Sequence, residues 1–362
     1  MTTLDQPHNT TADDLSQRLF AATVGAMDML TVYIGDRLGY YRALADGGPA
    51  TSAELAERAG TTERYTREWL EQQAITGLLR VDDVDLPASD RRYSISPGHA
   101  EALTSDLSLA YIAPFVRMVT AAGIQLPAIV AAHRSGGGVS WEQYGTDMRE
   151  AQGDMNRPFF HQLLGTEWFP GVTDLHERLR DGARVADIGF GHGWSAIALA
   201  DAYPHITVDG FDVDAPSVDT ANSNAAQAGV SDRVRFHQVD ASRPPTEDTF
   251  DIVTAFECIH DLPQPVEVLA TMKQLAGDDG LVVVMDEKVA DRFGAIGDDI
   301  ERVMYGFSNL ICLPDGMSHG GSVGTGTVMR QPLLTNYARH AGFADVEVLP
   351  IETDLWRFYR LV

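Results

Sequence analysis

Apolar positions recur every three or four residues from about Ala12 to about Gly171, then in short continuous runs from about Gly182 onward. The first period is that of amphipathic helices and the second that of strands buried on both faces. In the first half, "LSQRLFAATVGAMDMLTVYIGDRLGYYRALA" and "TSAELAERAGTTERYTREWLEQQAITGLLR" predict long helices. Thr51 or Ser52 is placed to cap one helix and Thr61 or Thr62 the next, with Gly60 at the break. "LLRVDD" and "RRYSISP" follow as two short β-type runs joined by the acidic "VDLPAS". Helix, turn, helix and a two-stranded wing make a winged-helix arrangement. In the second half, "RVADIG", "HITVDGFD", "RVRFHQVD", "FDIVTAFE" and "GLVVVMDE" are apolar strands separated by helical stretches such as "WSAIALADAY" and "PQPVEVLATMKQLA". That alternation predicts a parallel sheet covered on both faces. "ADVEVLP" and "LWRFYRLV" supply two more strands, one of them antiparallel.

Composition narrows the range of functions. The 362 residues suit two ordinary domains, and 44% hydrophobic residues suffice for packed cores. Against 52 acidic residues stand 27 Lys and Arg, a net charge of −25. Such a surface repels nucleic acid and anionic lipid, and suits a small neutral or cationic ligand. The candidate recognition helix carries Arg64 and Arg67 but also Glu63, Glu68 and Glu71, where DNA binding needs a basic face. Two cysteines, Cys258 and Cys312, without a CxxC suit a reducing cytoplasm and no disulfide framework. "MTTLDQPHNTTADDL" lacks the basic and apolar regions of a signal peptide. The apolar stretch Leu107 to Ala132 is interrupted by Pro114, Arg117, Gln125 and Pro127 and reads as buried helices, not as a membrane span. His192, His237, His260 and His319 show no metal-ligand spacing, so no metal is expected.

Ligands of open parallel sheets bind at the carboxyl ends of the strands. There the first strand runs into "DIGFGHGW", with Asp187 ahead of Gly189, Gly191 and Gly193. A dinucleotide loop would need a glycine where Trp194 stands, and an acid entering the loop suits a cationic amine. Asp212 ends the second strand, where a carboxylate can accept two ribose hydroxyls; Asp240 ends the third, near the place for an adenine. Asp residues are also common as caps and turn formers, the plain alternative for each one alone. "FECIHDLP" then ends the fourth strand and begins a helix, with His260 near its N-terminus. It brings together Phe256, Glu257, His260 and Asp261, with Asp286 closing the fifth strand.

Residues 182 to 290 resemble a class I S-adenosylmethionine-dependent methyltransferase, and the whole chain is similar to actinobacterial small-molecule methyltransferases, distantly like plant O-methyltransferases. The resemblance implies an α/β Rossmann-like domain with a seven-stranded mostly parallel sheet, preceded by a mainly α winged-helix domain. It implies S-adenosyl-L-methionine as cofactor, held by Asp187, Gly189, Gly191, Gly193, Asp212, Asp240, Ala241, Phe256 and Glu257. In the O-methyltransferase pattern the His of a His-Asp pair is the general base, here His260-Asp261, and Asp286 orients the ring or the acceptor. The tryptophan usual after that pair is Leu262, and "GTGTVMRQP" lacks the late glutamate of the plant pattern. Transfer to nitrogen, sulfur or carbon by positioning alone therefore stays open, as does a purely structural His260. So does a winged-helix regulator that senses S-adenosylmethionine; an NAD oxidoreductase is opposed by Trp194.

The expected organisation is a winged-helix dimerisation domain over 1–105, a helical linker covering the acceptor pocket over 106–171, and the methyltransferase domain over 172–362. Tyr144, Met155, Asn156, Phe159, Phe160 and His161 are candidates to roof the pocket, and the glycine-rich 315–326 is a candidate lid. Leu19, Phe20, Met27, Leu30, Tyr33 and Ile34 exceed the apolar content of one amphipathic face and point to a homodimer through the N-terminal half.

Overall fold

The computed structural model describes residues 11–294 and 297–362; most of the chain start discussed above lies outside the described residues. The chain divides into two compact units, Met1–Thr120 and Ala121–Val362. The expected middle segment, 106–171, falls on both sides of that division.

The first unit contains α1 (Ala12–Arg37), α2 (Tyr40–Gly47), α3 (Ser52–Ala59), α4 (Glu63–Ile75), β1 (Leu79–Val81), β2 (Tyr93–Ile95) and α5 (Pro97–Thr104). Thr51 caps α3 through a reciprocal pair of bonds with Glu54, Gly60 ends it at φ 65°, and Thr62 precedes α4. β1 and β2 pair antiparallel as the wing. The core forms around Trp69 of α4, whose ring meets Tyr40 at 4.6 Å and Tyr41 at 5.2 Å and whose Nε1–H donates to the Thr31 carbonyl at 2.8 Å. The opposite side of α1 is uncovered among the described residues: Phe20 is 72% exposed and Met27 59%. By length and composition alone α1 could cross a membrane. α6 (Ala113–Ile124) leads from this unit into the next.

The second unit continues with α7 (Leu126–Ser135), bent 58° from α6, and α8 (Trp141–Phe159), broken at Gly145 and followed by a π-helical stretch, Phe160–Trp168. Then come α9 (Thr173–Arg180), β3 (Arg184–Ile188), α10 (Trp194–Ala202), β4 (Thr207–Asp212), α11 (Ala215–Ala228), β5 (Val234–Gln238), β6 (Ile252–Phe256), α12 (Pro265–Ala276) and β7 (Leu281–Glu287). α13 (Asp299–Phe307), a π-helical Ser308–Cys312, α14 (Leu313–Ser318), α15 (Gln331–His340), β8 (Val346–Val348) and β9 (Trp356–Leu361) complete it. Among the described residues seven strands form one sheet in the order β5-β4-β3-β6-β7-β9-β8, with β9 antiparallel to both neighbours. Every residue of β6 is buried, because helices cover both faces of the sheet.

The chain winds outward from β3 through β4 to β5, then returns to place β6 on the other side of β3. The loops after β3 and β6 therefore diverge at a crevice, the usual ligand position in such sheets. Gly193, at φ 76°, enters α10 there; a Cβ on it would lie 2.4 Å from the Phe236 ring and 3.0 Å from Ala221 Cβ. Gly193→Ala is expected to cost roughly 1–3 kcal/mol of stability, from strain and overpacking together. Denaturant unfolding checks this, and an unchanged midpoint would contradict the packing described.

Two local expectations differ from what is seen. His260 is not in the first turn of a helix: it lies in a turn, and α12 starts only at Pro265. "DLPQP" explains this, because each proline disfavours helical backbone in the residue before it and suits a first helical position itself. Nor is 315–326 one loop. Asp315–Ser318 is helical, started by Pro314, and only the residues beyond Ser318 are irregular.

Candidate active site

The glycine loop joins β3 to α10 and is anchored on both sides. Asp187, fully buried, accepts from Ser195 Oγ at 2.5 Å and from Thr254 Oγ1 at 2.8 Å. Both its oxygens thus serve to tie β3, α10 and β6 together. Burial pushes its carboxyl up to about 6, against the pull of those two hydroxyls. Asp212 accepts the Gly191 N–H at 3.0 Å on one oxygen and the Asp214 N–H at 2.9 Å on the other. Burial raises its carboxyl as well. A Cβ on Gly191 would meet nothing within 4 Å, so the loop borders open space at this residue, whose N–H Asp212 holds.

Asp240 is exposed two residues beyond β5 and accepts the Ser242 N–H at 2.8 Å; Ala241 beside it is buried. The Phe256 side chain is core, against Phe160 at 5.4 Å and Phe169 at 6.1 Å, which leaves its backbone at the strand end. His192 packs against Gly153, and its carbonyl accepts from Asn224 Nδ2 at 3.0 Å. The Arg157 guanidinium lies 4.2 Å over the Trp194 ring.

The turn after β6 has the unusual backbone of the second unit. Glu257 has φ 49°, the one positive φ outside glycine among the described residues. A side-chain-bearing residue holds that conformation only when its surroundings impose it. Here the Glu257 carboxylate accepts from the Trp356 indole N–H and from the Asn156 amide. Burial pushes it up to about 7, although both donors pull the other way. The Asn156 amide, fixed by Glu257, has a buried carbonyl oxygen that meets no hydrogen-bond partner among the described residues.

His260, 3% exposed, stands among three carboxylates. Its Nδ1 is 2.8 Å from Asp286 Oδ1 and 3.1 Å from Glu287 Oε2; its Nε2 is 3.2 Å from Asp261 Oδ1. Burial alone would lower the imidazole pKa, but Asp261, Asp286 and Glu287 together raise it well above the usual histidine value. Asp286 is held below the ordinary carboxylate range despite its burial by the same ring, and Glu287 is pushed well above it by burial. The ring and its two Nδ1 neighbours thus hold one another's charges in a single buried group. The Cys312 thiol belongs to the same cluster: one ligand atom each from His260, Asp261 and Cys312 lies within 4.8 Å of the others. Spacing along the chain gave no sign of this gathering, nor of the similar group His260, Asp286 and Glu287. At 2.8 and 3.1 Å the latter has the separations of a hydrogen-bonded ion cluster.

Of the sequence candidates, the structure thus joins His260, Asp261 and Asp286 in one cluster. It sets Gly191 and Asp212 together, with open space at Gly191, and places Asp187 behind the loop. Glu287, Trp356 and, as a partner of Glu257, Asn156 join the site without having stood out in the sequence. The only signal for Glu287 was a second acid at the end of "VVVMDE".

Comparisons with known proteins agree with this architecture. Residues 185–280 match the model of a methyltransferase domain, and residues 26–105 that of an Rv2258c-like winged helix-turn-helix domain. The 27-O-demethylrifamycin SV methyltransferase of Amycolatopsis mediterranei is 34% identical over 126 residues, covering 34% of this chain and 46% of that protein. The chain thus spans less than half the length of that relative. Human N-acetylserotonin methyltransferase, solved with S-adenosylmethionine, superposes with a TM-score of 0.68 at 18% identity, over 98% of this chain and 99% of that one. NcsB1, an O-methyltransferase from neocarzinostatin biosynthesis solved with S-adenosylmethionine and 2-hydroxy-5-methyl naphthoic acid, gives 0.60 at 19% identity, over 92% and 95%. At such identities the likeness to the two solved structures is one of fold. Residues 185–280 thus carry a methyltransferase domain, on the fold of S-adenosylmethionine-dependent methyltransferases, with a winged helix-turn-helix domain ahead of it over residues 26–105.

Proposed function

We propose that this protein uses S-adenosylmethionine to methylate a hydroxyl on a small aromatic or hydrophobic metabolite, with His260 as general base. The observation that carries the reading is the His260 cluster at the carboxyl end of β6, next to the glycine loop of β3. The cofactor fits the residues present: Gly191 borders open space, and Asp212, which holds its N–H, has a carboxylate suited to two ribose hydroxyls. Gly189, Gly191 and Gly193 let the backbone approach the methionine end, with Asp187 holding their loop in shape. Asp240 and Ala241 border the adenine, and the backbone of Phe256 and Glu257 the sulfonium side. When bound, S-adenosylmethionine supplies a methyl group on a sulfonium, open to in-line displacement.

The residues of the chain then do three things. Asp286, with Glu287 beside it, fixes the imidazole through Nδ1, so that Nε2, 3.2 Å from Asp261 Oδ1, is the nitrogen that meets an acceptor once Asp261 turns aside. Neutral Nε2 takes the hydroxyl proton as the oxygen becomes a nucleophile. Asn156, oriented by Glu257, offers its carbonyl oxygen to a donor on a ligand. NcsB1 supports an aromatic hydroxyl as acceptor, having been solved with a hydroxynaphthoic acid. Calorimetry with S-adenosylmethionine, its demethylated product and NAD tests the donor: the first two should bind and NAD should not. Tight NAD binding would overturn the reading.

Nucleic acid is not proposed as a partner. Arg64 pairs with Glu68 at 2.5 Å and Arg67 with Glu63 at 3.4 Å on the same helix, which supports a solvated, charge-neutral face. Two free cysteines support a reducing, cytoplasmic setting. The uncovered apolar face of α1 supports a homodimer through the first unit. Light scattering at micromolar concentration should give twice the 39.4 kDa chain mass, and the chain mass itself would count against the dimer.

A further inference from the structure

Methylating a hydroxyl releases one proton per turnover, and the proposed base has no route of its own to water. His260 is 3% exposed, and on its Nδ1 side the Asp286 and Glu287 side chains are 1% and 10% exposed. A proton passed that way would stay inside the protein. On the Nε2 side the picture differs. Asp261 Oδ1 is itself buried, 3.2 Å from Nε2, with no hydrogen bond of good alignment to any group; yet the Asp261 side chain as a whole is 36% exposed. One end of the carboxyl touches the ring while the rest of the side chain reaches solvent. At 3.2 Å a small turn of the Asp261 carboxyl suffices to bring Oδ1 into line with a proton on Nε2.

We infer that Asp261 is the proton exit of the site, carrying the proton of His260 Nε2 to water by turning its carboxyl group. The terminal carboxyl torsion is soft and twofold, so the turn exchanges a buried oxygen for an exposed one. In the step, the N–H bond at Nε2 breaks as an O–H bond forms on Oδ1. After the turn that O–H gives its proton to water and Asp261 is again an anion. The ring is left neutral, with its Nε2 lone pair free for the next acceptor hydroxyl. Until Asp261 has turned away, the same carboxyl occupies the place of the acceptor, so unmasking the base and discharging it are one motion. Asp261 is a positioning and proton-transfer residue toward His260 and makes no contact with donor or acceptor in this step. The other groups facing the ring are Asp286, Glu287, Glu257 and the Cys312 thiol, none of which offers Nε2 an exposed carboxylate.

The inference rests on His260 as base, but its test reads the protein alone. Full-length protein with ¹⁵N-labelled histidine is followed by NMR, and exchange of the His260 Nε2 proton with water is measured. Asp261→Asn, which keeps the shape and cannot accept the proton, should slow that exchange by about tenfold or more. Added formate should restore it, and Asp261→Glu should stay within about threefold of the unaltered protein. An unaltered exchange rate in Asp261→Asn, or slowing that formate does not relieve, would overturn the inference. The backbone spectrum of each variant reports folding independently. Because no methyl transfer is involved, a failure of His260 as base would show separately, as retained turnover in His260→Ala.

Discussion

His260→Ala should lower turnover on a hydroxyl acceptor by roughly 10²–10⁴-fold, the usual range for a lost general base. Affinity for S-adenosylmethionine should hardly change, because the imidazole is enclosed by Asp261, Asp286 and Glu287 and not by the glycine loop. Steady-state kinetics and calorimetry on one preparation separate the two effects. The pH profile carries a second signature. Only the neutral ring accepts a proton, so the rate rises with pH as His260 deprotonates. The three carboxylates raise its pKa well above the usual value, so the rising limb lies on the alkaline side of a free histidine's. Asp286→Asn removes one of those charges and should move the limb toward acid. A His260→Ala protein with near-normal turnover and the same profile would make the residue structural and leave transfer to positioning alone.

Asp212→Ala should weaken donor binding by roughly 2–4 kcal/mol, about 30- to 1000-fold in Kd. Two losses add. The variant lacks the proposed acceptor for two ribose hydroxyls, and it frees the Gly191 N–H that Asp212 holds at 3.0 Å. The second loss loosens the loop even without ligand, so binding should also become slower. Asp187→Ala should act differently: with both oxygens on Ser195 and Thr254, its removal is expected to lower stability along with affinity. Calorimetry with the demethylated product, next to a melting curve, distinguishes a ligand contact from a support. Unchanged affinity in Asp212→Ala would remove that carboxylate from the donor site.

Much of this was legible in the sequence because it depends on local period and on chain order. Five apolar runs separated by amphipathic helices announce a parallel sheet, and its carboxyl ends pick out Asp187 to Gly193, Asp212 and Phe256 to Asp261 before any coordinates are known. What was not legible depends on side-chain direction. Asp187 heads the glycine loop in the sequence, but Ser195 and Thr254 turn its carboxylate inward. Glu287 follows Asp286, and strand alternation would send the two to opposite faces. At the end of β7 both side chains nevertheless reach His260 Nδ1. Glu287 thereby gives the ring a second buried acid, although "GTGTVMRQP" has none. Trp356 and Asn156 come to Glu257 from 99 and 101 residues away, a pairing no local pattern can carry.

The central claim is methyl transfer from S-adenosylmethionine to an acceptor hydroxyl, and product mass tests it most directly. The protein is incubated with S-adenosylmethionine bearing a deuterated methyl group and a panel of small phenols, amines and thiols, and each product is analysed by mass spectrometry. The account predicts a product carrying one labelled methyl on oxygen of a phenolic member, absent when S-adenosylmethionine is omitted and strongly reduced with His260→Ala. Labelled methyl found only on nitrogen or sulfur, with His260→Ala as active as the unaltered protein, would contradict it.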